Sequence, residues 1–204
     1  IHTSLTRISD LEEGRFRVAA LPRGQWRMAD YVVCEVLDAA GGRFKVELQN
    51  GRMMEVMETQ RLIGALGVRH ATLEATGSWE AVGEDGHMHL LTGAGLFGRL
   101  TSQSVFVPQV VHLKYQGHVL VDDKPVGMAD YVTPFPDVPF ELPVIVLFGT
   151  SMSAGKTTAA RLITRQLKRM DLKVVAAKLT GAGRYKDILS VYDAGADHVF
   201  DFVD

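Results

Sequence analysis

The run Gly149-Thr150-Ser151-Met152-Ser153-Ala154-Gly155-Lys156-Thr157-Thr158 holds the residue types that grip phosphate. Glycines let a backbone curl until successive N–H groups point inward as an anion nest, and a helix starting just after the loop adds the positive end of its dipole. In such a loop Lys156 supplies a point charge between the β- and γ-phosphates of a nucleotide. Thr157 offers its hydroxyl to Mg2+, and Thr158 its hydroxyl or N–H to the α-phosphate. The run is therefore the candidate segment for binding ATP or GTP with Mg2+, with Thr157 as the metal ligand.

The flanking sequence has the periods that would position this loop. Val144-Ile145-Val146-Leu147-Phe148 is a continuous apolar run, which predicts a strand buried on both faces of a parallel sheet. From Gly155 to Met170, Ala159, Ala160, Leu162, Ile163, Leu167 and Met170 fall at helical spacing, with Arg161, Arg165, Lys168 and Arg169 on a polar face. Val174-Val175-Ala176-Ala177 predicts a second strand, residues 185–194 a further helix, and Val199-Phe200 a third strand. These periods describe a βαβ unit.

Five residues separate Gly149 from Gly155, one more than the Walker A spacing Gly-x4-Gly-Lys-Ser/Thr allows. The form Gly-Thr-x4-Gly-Lys-Thr resembles the P-loop of dethiobiotin synthetase and its relatives among the P-loop NTPases. It resembles more loosely the adaptor protein of molybdopterin-guanine dinucleotide synthesis. In dethiobiotin synthetase the strand after the P-loop helix ends in a lysine that reaches the phosphates and the substrate carbamate. Lys178, after Val174-Val175-Ala176-Ala177, stands in the matching position, so the resemblance implies Lys156 and Lys178 as a catalytic pair. It covers residues 144 to about 180 only. Leu179-Thr180-Gly181-Ala182-Gly183-Arg184-Tyr185-Lys186-Asp187 has no counterpart there and is closer to uncharacterised P-loop proteins with an added N-terminal domain. The substrate of dethiobiotin synthetase is therefore not carried over. Arg184, Lys186 and Asp187 are candidates for substrate or Mg2+.

Residues 133–143 hold four of the seven prolines and predict a linker, because each proline removes an N–H and restricts its predecessor. Upstream, short alternating runs with turn residues predict a mainly β domain over 1–132, a small barrel or sandwich. Asn50-Gly51 marks a hairpin, and 29–37, 69–75, 86–91, 105–115 and 118–122 are strand candidates, with Asp85-Gly86 and Gln116-Gly117 as turns. Met-Ala-Asp-Tyr-Val occurs at 28–32 and again at 128–132, with unmatched flanks. The expected fold class is thus α/β: a mainly β N-terminal domain, then over 144–204 a partial parallel-sheet P-loop NTPase domain. Residues 144–204 are fewer than the ~100–200 that a doubly wound domain usually needs, so this domain is expected to be incomplete at its C-terminus. Asp201 and Asp204 are weak candidates for the acidic Mg2+ group.

Composition narrows the classes. With 22 basic and 24 acidic residues and a net charge of -2, bulk charge favours no nucleic-acid partner. Cys34 is the one cysteine, so no internal disulfide forms; its apolar surroundings read as an inert core thiol, and a cytoplasmic protein is expected. No apolar run is long enough to span a membrane. His87 and His89 share a strand face but lack an evident third metal ligand; Glu80, Glu84 and Asp85 read as a solvated hairpin end; Trp26 and Trp79 read as core anchors. The expected function is Mg-dependent phosphoryl transfer or ligation from ATP to a small carboxylate or carbamate, by a homo-oligomer. The alternatives are a nucleotide-dependent adaptor or switch with a protein partner, and a β-domain that serves only for oligomerisation.

Overall fold

The computed structural model describes residues 1–204 except Glu13, Thr72, 135–137, Phe140, 151–153 and Ala182. The strands are β1 (Arg17–Ala19), β2 (Tyr31–Asp38), β3 (Lys45–Glu47), β4 (Met53–Glu55), β5 (Arg61–Leu66), β6 (Val68–Ala71), β7 (Ala75–Ser78), β8 (His87–Thr92), β9 (Leu96–Gln103), β10 (His112–Val121) and β11 (Lys124–Pro125). Then follow α1 (Lys156–Arg169), β12 (Val175–Lys178), α2 (Tyr185–Tyr192) and β13 (His198–Asp201).

The pairings β10–β2, β2–β5, β5–β9, β9–β8 and β8–β10 close on themselves, so five strands form a ring in which only β5–β9 is parallel. Alternation along β2 and β10 sends Val32, Cys34, Val36, Leu113 and their neighbours inward to meet Leu62, Met88, Leu90 and Phe97. Burying such side chains is worth about 1.5–3 kcal/mol each, which makes this ring the main source of stability. Cys34 is fully buried with its thiol 3.3 Å from the Met88 sulfur, and burial pushes its pKa up, which places it in the core. Arg23 stacks between Trp26 and Trp79, 4.8 and 4.7 Å from the ring centroids, which occupies the indole faces.

Several local expectations change. Asn50-Gly51 does turn the β3–β4 hairpin, with Gly51 at φ +81°. Gln116-Gly117 is not a turn: β10 runs through it, and the register with β2 shifts between Tyr115 and Gly117, a bulge that absorbs the glycine. The stretch 69–75 divides between β6 and β7. The two Met-Ala-Asp-Tyr-Val copies pack against each other in different conformations. One leads into β2, the other forms a 3-10 turn, and Met128 N–H donates to Ala29 O at 3.0 Å.

The α/β expectation with a parallel-sheet P-loop domain is overturned. Among the described residues strand makes up 36% and helix, 3-10 turns included, 20%, with two α-helices, one large mixed sheet and two two-stranded ones. Among the described residues parallel pairing in the C-terminal part is confined to β12 and β13, four residues each. The run 144–148 forms no strand, and its side chains lie in solvent, Phe148 at 90% exposure. Apolar periodicity signals that a segment needs cover, but a buried parallel strand also needs neighbours on both edges.

The C-terminal part is fastened to the ring. The Glu47 carboxylate, at the end of β3 and fully buried, accepts from the Tyr185 and Lys186 N–H groups at 2.8 and 3.0 Å and from Ser4 Oγ at 2.7 Å. Arg7 reaches both Asp201 and Asp204 and lies 4.4 Å over the Tyr185 ring. Val203 is buried with Leu5, Tyr31 and Ile63. No described helix is long and apolar enough to cross a membrane.

Candidate phosphate-binding loop

Gly155 caps the amino end of α1 in the left-handed conformation, φ +83° and ψ 6°, which a residue with a Cβ adopts only under strain. Ala159 N–H then donates to Gly155 O at 2.9 Å and the helix begins. Its first turn carries no acidic residue, while its last turn carries Lys168 and Arg169, so no helix carboxylate offsets the positive amino end. Ala160 and Leu167 pack α1 onto Val174, Ile188, Val191 and Ala196. Leu162 and Met170, assigned to the same apolar face by spacing, are instead 65% and 61% exposed. Thr164 is the buried residue of that helix, because its face is set by the small surface that α2 and β12 offer.

The loop closes on its lysine. A Cβ at Gly149 would stand 2.8 Å from both Nζ and Cδ of Lys156, so the lysine side chain is folded across the glycine Cα. Glycine permits that approach with the lysine in place, and a Cβ there would displace the lysine side chain. Thr150, Ala154, Thr157 and Thr158 are exposed around it. Ser151, Met152 and Ser153, also assigned to the loop, lie outside the described residues.

Lys168 in the last turn of α1 and the Val174 N–H just before β12 hold the same Asp197 carboxylate, so the carboxyl end of α1 lies beside the start of β12, and Lys156 and Lys178 stand at the far ends of the two elements. Lys178 ends β12, opposite Asp201 in the parallel register, and its ammonium is ion-paired with Asp187 of α2. A Cβ on Gly181 would meet the Lys178 Cε at 2.9 Å, a second glycine that makes room for a lysine. At the other end of the unit, the Val174 N–H and the Lys168 ammonium hold the Asp197 carboxyl below its ordinary value and tie α1 to the sheet.

The weaker candidates are spent structurally. Asp201 and Asp204 are bound by Arg7, and Asp201 also accepts from Val203 N–H at 2.8 Å, so neither is available as the acidic Mg2+ group. Lys186 gives its N–H to Glu47, and Asp187 holds Lys178. Arg184 precedes α2 with its Nε buried and unpartnered among the described residues. No group of three or more His, Cys, Asp and Glu among the described residues is arranged to hold a metal ion. Glu47 and Arg7 escaped the sequence reading because the partners that tie them to the C-terminal part lie well over a hundred positions away, and nothing local marks either as buried.

His112 also escaped it. The β8–β10 pairing sets it opposite His89 and beside His87. Burial first, then the charges of His112, Arg99 and His87, push the His89 pKa down to about 4 from an ordinary 6.5. The folded chain thus binds fewer protons than the unfolded one between these values, and stability falls as pH drops from about 6.5 to about 4. After discounting for partial exposure, the expected loss is about 1–2 kcal/mol. Urea unfolding of metal-free protein across this range should show the slope, and His89→Phe should flatten it.

Compared with protein-family models, with curated proteins and with solved structures, the chain matches none.

Proposed function

We propose that residues 149–158 hold the phosphates of ATP with Mg2+ and that the protein transfers the γ-phosphoryl group to a small carboxylate or carbamate. The observation that carries this reading is the Lys156 side chain folded across Gly149, at the amino end of a helix with no acid in its first turn. ATP with Mg2+ supplies a transferable phosphoryl group whose charge the metal shares. Lys156 neutralises phosphate charge from the base of the loop, and Thr157 and Thr158, both exposed, offer hydroxyls beside it. Lys178, at the far end of β12, exchanges Asp187 for the phosphoryl oxygens as negative charge builds there.

Calorimetric titration of ATP and of GTP, each with Mg2+, tests the binding. Saturable one-site binding of either supports the reading, and absence of saturation by about 1 mM for both overturns it. Lys178→Ala should lower turnover about 100- to 1,000-fold while the nucleotide Kd moves less than about threefold. An equal loss in Kd would assign Lys178 to ground-state binding instead.

One observation favours a second reading, a nucleotide-dependent switch with a protein partner. Asp187, which holds Lys178, lies in the first turn of the helix whose amino end Glu47 grips from the β3–β4 hairpin. A change at Lys178 is thereby passed to the seam. Nucleotide consumed only with a small substrate argues for the enzyme; slow hydrolysis with nucleotide-dependent capture of a partner argues for the switch.

A further inference from the structure

His87 and His89 project from the same face of β8, and the antiparallel register brings His112 of β10 directly opposite His89. The His112 ring is stacked on His89 at 5.0 Å and 16°, and lies 5.0 Å from His87 at 37°. His87 Nδ1 and His112 Nε2 face each other at 3.0 Å. Two imidazole nitrogens on a tetrahedral ion, each about 2.0–2.1 Å from it, stand roughly 3.3–3.4 Å apart. Exchanging this hydrogen bond for a metal ion widens the pair by a few tenths of an ångström, turns the rings so that both lone pairs converge on the ion, and moves the bridging proton to the other nitrogen of its own ring.

We propose that His87 and His112 form a two-imidazole clamp for a borderline divalent cation of the Zn2+, Ni2+ or Cu2+ class. His89 is a positioning residue rather than a ligand. Its Nδ1 accepts the Leu100 N–H at 3.2 Å, which leaves the proton on Nε2 in the neutral ring and removes both nitrogens from coordination. Its work is to hold the His112 ring by stacking. Asp38, opposite His112 across the β2–β10 register, and Asp85 are the carboxylates whose charges act on the His112 ring. Asp85 is taken by Arg99 at 3.0 Å, and Lys114 gives its ammonium to Asp85 O at 2.5 Å, so neither surrounding cation is loose beside the clamp. Water completes the coordination, and imidazole donors select against Mg2+, so the clamp is independent of the nucleotide reading.

The test is calorimetric titration of ZnCl2 and NiCl2 into chelator-treated full-length chain in excess Mg2+. The expected result is one site per chain, with affinity lowered at least tenfold by His87→Ala and by His112→Gln, and within about threefold of the parent for His89→Phe, which keeps the stacking surface. Cu2+ bound in place of Zn2+ should show two-nitrogen hyperfine structure in its EPR spectrum, lost in His112→Gln. Circular dichroism checks that each variant is folded, and the Cu2+ spectrum of the unmutated chain stands on its own if one is not. Zn2+ binding unaffected by both ligand substitutions, or a Cu2+ spectrum of the unmutated chain without two nitrogens, overturns the proposal.

Discussion

Lys156→Ala is expected to weaken ATP binding about 100-fold while leaving the thermal midpoint within about 2 °C of the parent. A charge-assisted hydrogen bond contributes about 1.5–3 kcal/mol, and in the proposed site one ammonium serves two phosphates. The loss therefore falls near 3 kcal/mol, or about two decades in Kd. Stability is spared because the lysine lies across the Gly149 Cα rather than within any of the three hydrophobic clusters. Gly149→Ala tests the same geometry from the other side. Its new Cβ would stand 2.8 Å from the Lys156 Cδ and Nζ, so the lysine must leave its place although its charge is retained. A comparable drop in affinity from both substitutions would tie binding to the position of the ammonium. Titration calorimetry with ATP and Mg2+ reads both, and an unchanged Kd for Lys156→Ala rejects the site.

What could be read from the sequence is what short segments decide for themselves. The Asn50-Gly51 turn, the Gly155 cap and the start of α1 depend on backbone preferences within a few residues, and they appear where the residue types put them. The apolar run 144–148 had the composition of a buried strand, yet strand formation there depends on two neighbouring strands, and the chain provides it with neither among the described residues. Gln116-Gly117 carried turn residues, but ten residues of ladder across β10 outweigh one local preference by taking the glycine as a bulge. The histidine pair on β8 was visible from its spacing. Its third member was not, because His112 is set by the pairing partner that the topology selects. The candidate loop thus stood out in the sequence, and Asp187 did so as a candidate for substrate or Mg2+ rather than as the partner of Lys178, while Glu47 and Arg7 did not stand out at all.

Glu47→Ala is expected to lower stability by about 3–5 kcal/mol, the largest effect of any single substitution considered for this chain. The side chain is fully buried, and its two oxygens accept from the first N–H groups of α2 at 2.8 and 3.0 Å and from the Ser4 hydroxyl at 2.7 Å. Truncation takes the acceptor from the Tyr185 and Lys186 N–H groups, leaves Ser4 Oγ with Gly183 O alone at 3.1 Å, and removes the negative charge that the positive end of the helix dipole faces. Glu47→Gln keeps the volume but replaces one oxygen with an amide N–H that meets another donor, so about 1–3 kcal/mol should still be lost. For a chain of this size the alanine variant should fall roughly 6–20 °C in thermal midpoint. Hydrogen exchange distinguishes loss of the cap from general loosening: protection at Tyr185 and Lys186 should vanish first, while β2, β5 and β10 retain theirs. A fall of under about 1 °C would mean that Arg7, Leu5 and Val203 alone hold the seam. The functional consequence follows through Asp187, one turn into the helix that Glu47 anchors and the ion-pair partner of Lys178. When the cap is lost that carboxylate shifts, so turnover should change more in the Glu47 variants than nucleotide affinity does, because Lys156 and Gly149 lie on a different element and keep their contact.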